Sequence, residues 1–162
     1  MEIVHEKCPD VKFMLLGIGS ELGRFRGNIL KSDLWKSVIY LGHIPNNELP
    51  EYLASADVSI TTSLSDGGIP VSTIEAMACG VPVVSTDAGD AKIWVRDGEA
   101  GYVVNKQDPE AVAEKVVDLL NDNEKRLRFG KRAREIVEKP QDYTLEMQRI
   151  EKVYMKLLEK HE

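Results

Sequence analysis

Asp66-Gly67-Gly68-Ile69-Pro70, followed by Glu75, is the stretch whose residue types and spacing are suited to chemistry. Adjacent glycines let the main chain approach a ligand closely. The turn runs into a predicted helix, Ser72–Cys79, whose first N–H groups and dipole favour an anion such as a diphosphate. Asp66 and Glu75 flank this anion site. A carboxylate beside a phosphate is repelled, so the acids are better suited to accept hydrogen bonds from sugar hydroxyls. Donors between two such acceptors match a sugar–diphosphate–ribose ligand. Two plainer accounts stay open: Ser72-Thr73-Ile74-Glu75 reads as a capping box, and Asp66-Gly67 as an ordinary turn.

A second glycine cluster, Gly17-Ile18-Gly19 with Gly23, follows an apolar run and precedes a helical one. It is a near miss to the dinucleotide fingerprint. A nicotinamide cofactor would call for an acid at the end of the second strand. That strand ends Tyr40-Leu41-Gly42-His43, so no such cofactor is expected. Gly17 and Gly19 are candidate sheet-edge contacts, or simply close a strand onto a helix.

The elements that must position these residues alternate. Short apolar runs at Val11–Leu16, Val38–Leu41, Val58–Ile60, Val81–Val84 and Tyr102–Val104 suit parallel strands buried on both faces. Helical stretches at Ser20–Lys31, Asn47–Ser55, Ser72–Cys79 and Ala91–Arg96 lie between them. This is the pattern of an α/β, doubly wound, mainly parallel Rossmann-like sheet of about five strands. The crossover rule gathers the strand C-terminal ends at one edge.

A helical C-terminal tail follows. Asp108-Pro109-Glu110 starts its first helix, with an N-cap acid and proline at the first position. A second helix spans about Glu124 to Val137, ended by Lys139-Pro140. The third carries Ile150, Val153, Tyr154, Leu157 and Leu158 on one face. That stripe needs a surface, either on its own domain or on a partner. Residues 1–162 read as one domain. It opens on a helical stub, Met1–Lys7, where a strand is usual. The stub is either a plain N-terminal helix or the sign of a missing first strand, the second being preferred.

Composition narrows the function. A net charge of −6, from 21 Lys and Arg against 27 Asp and Glu, opposes a nucleic-acid-binding surface. Cys8 and Cys79 form neither a metal spacing nor a disulfide framework, so no metal or cofactor is expected and reduced thiols are the default. The N-terminus lacks signal-peptide features, and no apolar run approaches the ~20 residues of a membrane span. A cytoplasmic location is expected. His5 and His161 sit in predicted helix ends and carry no signal.

The string from Ser63 to Asp87, with Asp66-Gly67-Gly68-Ile69-Pro70 and Glu75-Ala76-Met77-Ala78-Cys79-Gly80-Val81-Pro82, resembles the donor-site signature of group-1 (family four) glycosyltransferases. These are retaining enzymes of the GT-B fold. The likeness extends through Leu41–Pro45, Leu49–Asp57 and Val95–Val104, most of the chain. The resemblance implies that Glu75 binds the nucleotide ribose and Asp66 contacts the donor sugar. Gly67, Gly68 and Ile69 would lend N–H groups to the diphosphate. The backbone of Gly42-His43-Ile44 would read the base, and Gly17 and Gly19 match glycines at the same sheet edge. It further implies a nucleotide-sugar donor and an acceptor-binding N-terminal domain, missing or separate.

Three departures bear on that carry-over. Eight residues separate Asp66 from Glu75 where the family has seven, so either the loop holds an extra glycine or Gly67 occupies the acid's place. Ile93 stands where an acid is usual. The strand and loop bearing the family's phosphate-binding arginine and lysine should precede Met1. No side-chain nucleophile is evident, and the family's retention is ascribed to front-face attack that stabilises the leaving diphosphate. No catalytic side chain is assigned in this half. Lys92, Arg96 and Lys106 are placed near the cleft or in solvent, and His43 is read as a turn residue. The expected activity is sugar transfer to an acceptor hydroxyl with retention, incomplete in this chain alone. The rivals are a non-catalytic nucleotide-sugar-binding or interaction module and a nucleotide-sugar epimerase domain.

Overall fold

The structure, a computed structural model, describes residues 1–138 and 143–159. Strands β1 (Phe13–Leu16), β2 (Val38–Gly42), β3 (Ser59–Thr61), β4 (Val83–Thr86) and β5 (Gly101–Val104) alternate with helices. The helices are α1 (Glu2–Lys7), α2 (Leu22–Ile29), α3 (Leu49–Ala54), α4 (Val71–Ala78) and α5 (Ala91–Val95), then α6 (Pro109–Asn121), α7 (Asn123–Glu138) and α8 (Tyr143–Leu158). The expected α/β architecture is present, with five strands and a helical tail. A short 3-10 turn over Asp33–Ser37 was not foreseen.

The five strands lie in two parallel sheets among the described residues, β1-β2 and β3-β4-β5. Phe13, Met14 and Leu15 lie opposite Val38, Ile39 and Tyr40. The register then shifts, setting Leu16 opposite Gly42 and leaving Leu41 as a bulge. In the second sheet, Val83 faces Ser59 on one side and Gly101 on the other. β4 is central, and all four of its residues are buried, as an apolar parallel strand requires.

Two cores flank these sheets. One joins Ala76 and Met77 of α4 to Val83, Val95 and Ala133, Ile136 and Val137 of α7. The other joins Val4 of α1, Phe13 of β1 and Val84 of β4 to Ala113, Val116 and Leu119 of α6 and Phe129 of α7. α7 crosses the end of α4 at very close range. A Cβ on Gly130 would lie 2.0 Å from the Gly80 carbonyl oxygen.

Helix α6 begins as expected, with Asp108 Oδ1 accepting the Ala111 N–H at 2.9 Å. The α8 stripe does not pack on the rest of the described chain: Ile150, Val153, Tyr154, Leu157 and Leu158 are all exposed. Packing on its own domain is therefore corrected. The Lys139-Pro140 stop and His161 lie outside the described residues.

A polar cluster ties β5, α6 and α7 together. Asp118 accepts from Tyr102 Oη at 2.7 Å and from Lys125 Nζ at 2.9 Å. The Lys125 bond first, then the Tyr102 bond, holds the Asp118 carboxyl below its ordinary value of 3.8. A depressed folded-state value stabilises the fold above the unfolded value and loses that effect as pH falls through the folded one. The urea midpoints of the wild type and Asp118→Asn should therefore differ at neutral pH and converge below pH 3.8. Parallel curves across that window would show that the ionised carboxylate does not contribute.

Candidate functional site

The loop between β3 and α4 is held from three sides. At its start, Thr61 Oγ1 and Thr73 Oγ1 share a hydrogen bond of 3.0 Å, fastening the strand end to the first turn of α4. Next, Thr86 Oγ1 donates to the Ser63 carbonyl at 2.7 Å, tying the loop to β4. Finally, the turn after β4 meets the loop main chain to main chain. Asp90 N–H donates to the Gly68 carbonyl at 2.9 Å. Gly89, at φ +53, lies so close that a Cβ there would be 1.7 Å from the Gly68 oxygen. Only glycine satisfies both that contact and that backbone angle.

Held this way, the loop presents unused donors. The N–H groups of Gly67, Gly68 and Ile69 have no acceptor among the described residues, nor do those of Val71 and Ser72 at the start of α4. Unpaired helix-start amides carry partial positive charge, reinforced by the helix dipole. Chemically, such a set of amides is suited to an anion.

The helix begins earlier than the sequence pattern implies, and this decides the capping question. Its N-cap is Pro70, with ψ 130 and no side-chain cap. Ser72 is thus inside the first turn and Thr73 is fully buried, so the Ser72–Glu75 capping box does not form. The Glu75 carboxylate is half-buried and has neither hydrogen bond nor ion pair among the described residues. The thiol of Cys79 is pushed up chiefly by burial and further by Glu75, against a lowering from Arg134. Asp66 is exposed and likewise unpaired.

The second glycine cluster serves the other sheet. Gly17, at φ +102, donates its N–H to the Gly42 carbonyl at 2.6 Å, and Tyr40 Oη donates to the Gly17 carbonyl at 3.1 Å. The Gly17 amide is thus already engaged. Gly19 has open space around its Cα, as a ligand-facing turn would. His43 is exposed and Ile44 half-buried. Lys92 pairs with Asp87 at 2.5 Å. Sequence reasoning singled out the donors and the acids but missed the residues that hold them: Thr61, Thr73, Thr86 and Gly89. The Asp87-Ala88-Gly89-Asp90 turn was a usable signal for Gly89. No group of metal-ligating side chains occurs among the described residues, and no described helix is long and apolar enough to cross a membrane.

Strands ending at one edge, a glycine loop with free amides and a helix-borne carboxylate define a parallel α/β domain of the GT-B, Rossmann-like type. Residues 1–136 match the family model described as glycosyl transferases group 1, and the chain belongs to that family. It is 32% identical over 133 residues to a GDP-mannose-dependent alpha-(1-6)-phosphatidylinositol monomannoside mannosyltransferase of Mycolicibacterium smegmatis, covering 78% of this chain and 35% of that protein. Among solved structures, the sucrose-phosphate synthase of Thermosynechococcus elongatus aligns with a TM-score of 0.89 at 26% identity, over 97% of this chain and 41% of its own. The TarM protein of S. aureus, solved in complex with UDP, aligns at 0.78 with 30% identity, over 85% and 28%. The chain spans about a third of the length of the curated relatives it matches.

Proposed function

We propose that this chain is the donor-binding half of a retaining glycosyltransferase, one that moves a sugar from a nucleoside-diphosphate sugar to an acceptor hydroxyl. The observation that carries the reading is the set of unpaired main-chain donors at Gly67, Gly68, Ile69, Val71 and Ser72, beside an unpaired Glu75 carboxylate. In this reading the diphosphate lies on the amides and the ribose hydroxyls donate to Glu75. Asp66 faces the donor sugar, and the main chain of Gly42, His43 and Ile44 meets the base. Gly19 offers a further edge contact. Family membership supports the reaction class, and the UDP in a related structure supports the ligand class.

On the amides, the growing negative charge of the departing diphosphate meets fixed dipoles that need no reorganisation. Retention is assigned, as the family resemblance implies, to attack on the same face from which the diphosphate leaves, with the acceptor held by a second, acceptor-binding domain. No metal or cofactor takes part in this scheme.

Calorimetric titration with UDP-, GDP- and ADP-sugars tests it. One of the three should bind, weakly, and undergo no transfer until an acceptor-binding partner is supplied. Absence of binding by all three at millimolar ligand would refute donor binding by this chain. Binding with no transfer even in the presence of the partner would favour a non-catalytic module.

A further inference from the structure

The charge of the chain is unevenly spread. Residues 22–37 hold four Lys and Arg and one acid, Asp33, in a chain of net charge −6. They form α2, which has no fully buried residue, and the 3-10 turn after it. Leu22, Phe25 and Ile29 recur at helical spacing and are half-buried, so they mark the inward side of α2. Arg24, Arg26, Leu30 and Lys31 are exposed and lie away from that side. Gly23 and Gly27 fall between them and add no side chain, which leaves this face low. Arg24 pairs with Glu21 at 3.6 Å, but Arg26, Lys31 and Lys36 have no ion pair among the described residues.

The 3-10 turn adds an aromatic ring to this face. Its threefold period buries Leu34 and Ser37 and leaves Trp35 and Lys36 outside. The turn packs against α2, so that Trp35, 52% exposed, and Leu30, 70% exposed, belong to one surface. The Lys36 ammonium lies 5.6 Å from the centre of the Trp35 ring, and the Arg26 guanidinium 6.0 Å from that of Tyr40 on β2. An indole and a leucine held in water among unpaired cations suit the interface of an anionic bilayer. Tryptophan seats at the headgroup level. Lysine and arginine lay their stems along apolar surface while their charged ends reach outward, and anionic lipid attracts them. The rest of the chain, net negative, is repelled and turns the basic face toward the surface. A polyanion in solution would use the cations and leave Leu30 without a role.

We propose that the outward face of α2 and the 3-10 turn, with Arg26, Leu30, Lys31, Trp35 and Lys36, docks the chain on the surface of an anionic lipid bilayer. Trp35 and Leu30 enter the headgroup region, and the cations meet the lipid phosphates. Binding of this kind is peripheral and reversible, because it needs only an apolar contact and positive charge. The inference rests on charge and exposure at α2 and stands whether or not the donor reading does.

Co-sedimentation of the full chain with vesicles tests it, using mixed phosphatidylglycerol and phosphatidylcholine against phosphatidylcholine alone. Binding should be confined to the anionic vesicles and should fall as salt is raised. The chain has two tryptophans, and Trp94 is partly buried against a core, so a blue shift of emission on binding reports Trp35. Lys31→Glu with Lys36→Glu should weaken partitioning roughly tenfold or more at an unchanged urea midpoint. Leu30→Ser with Trp35→Ser should weaken it as well and abolish the shift. On the unaltered chain, brominated lipid should quench the shifted emission, an independent readout should a variant misfold. Binding to neither vesicle, or equally to both, would overturn the proposal. So would binding that survives the loss of Leu30 and Trp35, since the face would then serve polyanions in general. A blue shift that grows with protein concentration in the absence of lipid would also overturn it, because the occupant would then be a second copy.

Discussion

Gly89→Ala should unfold at markedly lower urea and lose nucleotide affinity at least tenfold. An alanine at φ +53 enters the left-handed region, at a cost of about 1–2 kcal/mol. Its Cβ would also sit 1.7 Å from the Gly68 oxygen and 3.1 Å from the Asp66 oxygen. Both are main chain, so the loop itself must move, adding roughly 1–3 kcal/mol of overpacking. The moved segment carries the Gly67 and Gly68 donors. Stability and binding should therefore fall together. Gly98→Ala separates the two causes, since Gly98 is at φ +79 with nothing within 4 Å of its Cβ. It should show the backbone cost without the loss of affinity. Equal effects from the two substitutions would show that the contact with Gly68 does not shape the site.

Glu75→Ala should weaken nucleotide binding roughly 10- to 100-fold, as expected for losing hydrogen bonds to a charged acceptor. Its denaturation midpoint should barely move, within the roughly 0.5 kcal/mol typical of side chains outside the core. The structure sharpens this expectation, because no capping box forms at Ser72 and the Glu75 carboxylate closes no hydrogen bond among the described residues. A capping role would instead cost about 1 kcal/mol of stability. Calorimetry and urea melts on one preparation would decide it. Lowered stability with unchanged affinity would exclude the ribose assignment.

Much of this was legible in the residues because it is local. Alternating apolar and amphipathic runs specify strands and helices within a few positions, and Asp108-Pro109 specifies a helix start on its own. The free donors follow from adjacent glycines leading into a helix. What escaped was settled by distant partners. Ser72-Thr73-Ile74-Glu75 looks like a cap, but Pro70 already starts the helix and Thr73 is drawn inward to Thr61. Whether five strands form one sheet or two depends on edge pairing between segments far apart in sequence, which periodicity cannot report. The α8 stripe likewise shows that a helix has an apolar face without showing what covers it.

The unused donors between Gly67 and Ser72 belong to the peptide backbone. Short of proline, no replacement of a side chain deletes an N–H group. In the donor-binding reading, a grip of this kind is inherited through the path of the chain, which Gly89 holds in place. A side chain beside the turn such as Asp66 is, in that reading, free to be re-selected for a new sugar while the backbone donors persist. A family built on such a turn would diversify its substrates readily. Among this chain's relatives, one is named for GDP-mannose and another was solved with UDP.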